Sequence, residues 1–97
     1  NPVLGLHLDT GHLKVSANSF DFPKSDFIST MGSYIRSIHH SDNLGEEDTN
    51  DPIDLNYWFL EYMPRFETAY HILETHDQSL SQIHRQFDLL RKSVENA

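Results

Sequence analysis

The sequence predicts an α/β fold built from three βα units with parallel strands. Three observations carry this prediction. Short apolar runs at residues 3–9, 35–39 and 69–74 read as strands. Stretches with helical apolar spacing separate them, and strands joined by crossover helices run parallel. The 97 residues suffice for one domain holding three such units.

Val3 to Asp9 is strand one, with Leu4, Leu6 and Leu8 alternating with Gly5, His7 and Asp9. The apolar pattern stops at Thr10-Gly11, and Asn18 to Pro23 reads as a loop. Pro23 suits the first turn of a helix. Phe27, Ile28, Met31 and Tyr34 follow at helical spacing, with Gly32 as a stop signal. Ile35 to His39 is strand two. Ser41 to Pro52 is a polar, acidic loop containing Gly45. Asp54 is placed to cap a second helix, with Leu55, Trp58, Phe59, Tyr62 and Phe66 on one face. Pro64 blurs where that helix ends. Ala69 to Glu74 is strand three. Asp77 or Ser79 caps the last helix, on which Leu80, Ile83, Phe87, Leu90 and Val94 form an apolar face expected to be core where neighbours are present.

The order is β-α-β-α-β-α, which brings all strand C-termini to one end, where such folds place their sites. A (β/α)₈ barrel takes about 250 residues, so three of its eight units take about 94. The chain matches that length, which makes it a single partial domain over residues 1–97.

Composition excludes several functions. A net charge of −8, with seven scattered Lys and Arg, argues against a duplex-binding surface, which needs clustered cations to displace counterions. There is no cysteine, hence no disulfide framework and no thiolate metal site. That fits the reducing cytoplasm. No apolar run approaches the roughly 20 residues of a membrane helix, and no signal peptide is visible. A start at Asn1-Pro2 rather than Met reads as a cut piece of a longer protein.

Each strand ends in chemistry-bearing residues. If Asp9 points inward, so do His7 and Gly5; if His39 does, so do Ser37 and Ile35; if Glu74 does, so do Ile72 and Tyr70. Asp9, His39 and Glu74 would then converge at one depth. Two carboxylates and an imidazole form an O,N donor set for Mn²⁺, Mg²⁺, Zn²⁺ or Co²⁺. Such an ion polarises a carbonyl and an adjacent hydroxyl, easing proton removal from carbon. Plain alternatives exist for each residue. An Asp after a strand is often a helix cap, His39-His40 reads equally as a buried pair bonded to backbone, and Glu74 as a partner for an arginine. Glu46-Glu47-Asp48 reads as solvated loop.

The stretches "LGLHLDTGH", "IRSIHHSDNLGEED" and "ILETH" together resemble the xylose-isomerase-like (β/α)₈ barrel superfamily, which holds sugar isomerases and epimerases and the AP endonuclease family 2. The resemblance spans nearly the whole chain, as βα units six to eight. It implies Asp9, His39 and Glu74 as metal ligands, with Glu74 also the catalytic acid/base. It implies His12 as a substrate contact in the isomerases, or a metal ligand in the endonucleases. Two departures stand out. Where the endonucleases carry Asp-x-His, this chain has Asp48-Thr49-Asn50, and their Gly-rich stretch is replaced by Asp51-Pro52-Ile53-Asp54. A three-metal endonuclease site is therefore incomplete.

The resemblance implies the C-terminal part of a metal-dependent sugar or sugar-phosphate isomerase or epimerase. The competing readings are a metal phosphodiesterase of DNA repair and a non-catalytic barrel-derived module. By itself, a three-strand slice leaves two sheet edges unpaired and half its apolar surface uncovered. The expected partners are the missing N-terminal barrel units or a second copy, and the isolated chain is expected to be inactive.

Overall fold

The computed structural model of the chain describes residues 4–76 and 78–95. Val3, the expected start of strand one, and Asp77, one of the two expected caps of the last helix, lie outside them. Three parallel strands, β1 (Leu6–Asp9), β2 (Ile35–His40) and β3 (Tyr70–Leu73), form one sheet in chain order. Between β1 and β2 run helices α1 (Thr10–Phe20) and α2 (Lys24–Met31), followed by a 3₁₀ turn at Gly32–Tyr34. A 3₁₀ helix at Trp58–Phe66 precedes β3, and α3 (Leu80–Glu95) follows it.

The helix starts are written in local side chains. Asp9 accepts the His12 N–H at 3.0 Å and so caps α1. Residues expected as loop from Asn18 therefore continue the helix to Phe20, which ends with Asp21 in the left-handed region at φ 56°. Pro23 stands at the N-cap of α2, and Gly32 follows its last residue. Ser79 and Gln82 exchange backbone and side-chain bonds (2.8 and 3.3 Å), a capping box that starts α3.

Three expectations are corrected. The segment expected as an α-helix from Asp54 is a 3₁₀ helix beginning at Trp58. Asp54 instead closes a turn onto the Asn56 N–H at 2.8 Å, and Leu55 is exposed. Pro64 lies inside this 3₁₀ segment and has no N–H to donate. Ile35 does not share the open face with His39 but lies in the core beside Ile38. The pairing of β1 with β2 shifts register between Leu6 and His7, which breaks strict alternation at the start of β2. The expected core stripe of α3 is also rotated: Leu90 and Gln86 are buried, whereas Leu80 and Phe87 are 76% and 51% exposed. Gln86 is held there because its Oε1 accepts the Ile53 N–H at 3.0 Å and its Nε2 donates to the Gln82 carbonyl at 3.1 Å.

The core lies on one side of the sheet. Leu8 and Ile38 meet Leu13, Ile28, Phe59, Met63, Phe66 and Leu90. Each such side chain contributes about 1.5–3 kcal/mol on burial. The other face, carrying His7, Ser37, His39, Tyr70 and Ile72, is open, and Tyr70 and Ile72 are exposed. No described helix is long and apolar enough to cross a membrane.

Candidate metal centre

Alternation along β1 and β2 sends Asp9 and His39 to the open face as neighbouring Cα partners. In β3 the partner of His39 is Ile72, not Glu74. Glu74 stands two residues further along, about 6.6 Å by strand rise, where its N–H donates to the His40 carbonyl at 2.9 Å. The three residues do not start from one depth, which corrects the expectation. Glu74 reaches back instead, and its Oε2 meets His39 Nδ1 at 2.6 Å. The net result is convergence: one donor atom from each of Asp9, His39 and Glu74 lies within 4.8 Å of the other two.

The donor chemistry fits a divalent cation. Two carboxylates and one imidazole suit Mn²⁺, Mg²⁺, Zn²⁺ or Co²⁺. Bonds of 2.0–2.2 Å put opposite ligands at most about 4.4 Å apart, so the observed spacing is close to what coordination needs. The Glu74 side chain is 52% exposed, and a small molecule can reach it from the open face. Asp9 does two jobs, since Oδ1 caps α1 while Oδ2 faces His12 Nδ1 at 3.4 Å.

His12, the expected substrate contact, sits on the first turn of α1 with its side chain 66% exposed. Its Nε2 lies 2.5 Å from Asp48 Oδ2. Asp48 belongs to the loop expected to be solvated and is exposed, as are Glu46 and Glu47; its carboxylate nevertheless meets His12. Gly11 permits this approach. A Cβ there would come within 2.6 Å of Ser41 Oγ and 2.8 Å of Asp48 Oδ1. Asn50 has its Nδ2 3.3 Å from His76 Nε2.

His7 and Ser37 support His39 on the same face. The His7 ring meets the His39 ring edge-on at 4.0 Å, and His7 Nδ1 lies 2.7 Å from Ser37 Oγ. On the buried face lies a second polar group that no motif in the sequence signals. Thr10, His40, Tyr57 and His71 form one hydrogen-bonded chain beneath the centre. His40 has no exposed surface. Burial, with the nearby His71 and His39, pushes its pKa down to about 3, so its ring is neutral at ordinary pH. The Tyr57 hydroxyl is pushed well above its usual range, chiefly by burial. The plain reading of the His39-His40 pair thus holds for His40 as to burial, although its ring bonds to side chains. Nothing in the sequence near Tyr57 signals its part, because its partner Thr10 is 47 positions away.

No protein-family model, curated protein or solved structure matches this chain.

Proposed function

We propose that this chain supplies βα units six to eight of a xylose-isomerase-like (β/α)₈ barrel, and that its parent is a metal-dependent isomerase or epimerase of a small sugar or sugar phosphate. The observation that carries this reading is the convergence of Asp9, His39 and Glu74 donors within 4.8 Å at the strand C-termini. The chain-ordered parallel sheet supports the barrel part. So does the open face with exposed Tyr70 and Ile72, which remaining barrel units or a second copy would cover.

Asp9, His39 and Glu74 would hold the ion. When bound, it supplies polarisation of a carbonyl and the hydroxyl beside it. Glu74, reachable from the open face, would be one acid/base, taking the proton from the hydroxyl-bearing carbon and delivering it to the neighbouring carbonyl carbon, while the hydroxyl proton passes to the carbonyl oxygen. His12 contacts a substrate oxygen, with Asp48 holding its Nε2 at 2.5 Å. His7 and Ser37 keep the His39 ring from turning away.

The contact between His12 and Asp48 favours one second reading, a metal phosphodiesterase, because it draws together residues that the endonucleases use for a further metal. Asn50 counts against it, since an amide replaces the imidazole there.

The test is substitution of Glu74→Gln in the parent protein, with sugar interconversion and abasic-DNA cleavage both assayed. Loss of sugar turnover by at least about 10²-fold is expected, as for removal of an acid/base. A merely modest loss contradicts the isomerase reading, and cleavage of abasic DNA decides for the second. The absence of any divalent ion by elemental analysis after chelator-free purification favours a non-catalytic module.

A further inference from the structure

The residues beside the three candidate ligands meet again on the opposite face of the sheet. Thr10 follows Asp9, His40 follows His39, and His71 lies on the strand that leads to Glu74. Thr10 Oγ1 lies 3.2 Å from the His39 carbonyl and 3.1 Å from the Ser41 carbonyl, and accepts the Ser41 N–H at 3.3 Å. It therefore staples the end of β1 to the end of β2. The His40 carbonyl accepts the Glu74 N–H at 2.9 Å, which ties β2 to the third ligand.

Tyr57 joins these parts from outside the sheet. Its hydroxyl lies 2.6 Å from Thr10 Oγ1 and 2.7 Å from His40 Nδ1. His40 Nε2 lies 2.9 Å from His71 Nδ1, and His71 Nε2 lies 2.7 Å from the Phe66 carbonyl. That carbonyl can only accept, so His71 carries a hydrogen on Nε2. The Tyr57 hydroxyl has a single hydrogen, which it donates to Thr10 Oγ1. Such a connected buried network holds its members in one arrangement, because a broken link strands a polar group in a dry core.

We propose that Tyr57 is a positioning residue for the Asp9–His39–Glu74 centre, its hydroxyl holding the ligand-bearing strand ends in register through Thr10 and His40. The inference rests on the metal-centre reading above. Supporting partners of this kind change metal affinity by about 10- to 100-fold when removed.

The experiment titrates the 97-residue chain with Co²⁺ and follows its visible d–d absorption. The proteins are wild type, Tyr57→Phe, Thr10→Ser, Thr10→Val and the double variant Asp9→Ala/His39→Ala. Tyr57→Phe keeps the ring in the core and is expected to bind about 10-fold or more weakly, with a changed band shape. Thr10→Ser, which keeps a hydroxyl, is expected to match wild type, and Thr10→Val to follow Tyr57→Phe. Unchanged affinity and band in Tyr57→Phe overturns the positioning role and leaves the metal centre standing. A wild type without a band, or with the same band as the double variant, overturns the centre and this inference together. If circular dichroism finds Tyr57→Phe unfolded, the Thr10 pair decides: equal binding by Ser and Val overturns the role.

Discussion

His39 and His40 are the same residue type, adjacent in sequence, and they live in opposite worlds. His39 faces the open side of the sheet, where its Nδ1 meets Glu74 at 2.6 Å and its ring leans on His7. His40 faces the core, without exposed surface, between Tyr57 and His71. The period of two along a strand makes this difference. One imidazole meets an exposed carboxylate on the open face, while the other is enclosed in the bonds that hold the strands together. In the proposed reading, the open face holds the chemistry and the buried face holds the geometry.

The sharpest way to break that comparison is to truncate each histidine in turn. His40→Ala removes a fully buried ring and leaves Tyr57 and His71 one hydrogen bond short each. A cost of about 3–4 kcal/mol is expected from the cavity and the polar groups left short of a bond, a large share of the stability of a small domain. His39→Ala loses a part-exposed contact with Glu74 and the edge of the His7 ring, so a stability change below about 1 kcal/mol is expected. Urea denaturation of both variants checks the contrast. Equal costs would mean that the two faces are not mechanically distinct.

The pH dependence of stability separates the faces without mutation. The folded pKa of His40 is about 3, below the model-peptide 6.5, so between those values the unfolded chain binds the extra proton. Stability from this group is fully present above pH 6.5. It is lost as pH falls toward 3, at up to about 1.4 kcal/mol per unit. Urea midpoints measured from pH 7 to pH 4 should fall accordingly, and His40→Gln should flatten that slope. A slope unchanged in His40→Gln would place the acid sensitivity elsewhere.

The smallest effect concerns Asp9, which serves both geometry and chemistry. Asp9→Asn preserves a side-chain oxygen for the cap of α1, so stability should move by only a few tenths of a kcal/mol. Asp9→Ala loses the cap as well and should cost about 1 kcal/mol. Both should weaken Co²⁺ binding, because both remove a carboxylate from the donor set. If Asp9→Asn bound Co²⁺ as tightly as wild type, the cap would be the residue's whole role.

The sequence by itself determined the α/β class, the strands and the candidate ligands. Apolar alternation and a polar strand end are local properties, legible at Asp9, His39 and Glu74 without knowing what lies nearby. The capping box at Ser79 and Gln82 is legible in the same way. Tertiary structure alone decided four other matters. It set the two-residue offset of Glu74, through the register that pairs His39 with Ile72. It moved Ile35 into the core through the register shift between Leu6 and His7. It turned α3 so that Gln86 rather than Phe87 meets the neighbouring loop. It brought Tyr57 to Thr10 across 47 positions. Register and helix rotation depend on what the opposing elements present, and no window of a few residues contains that information. A hydroxyl buried by distant chain reads, in sequence, as any other tyrosine on an apolar segment.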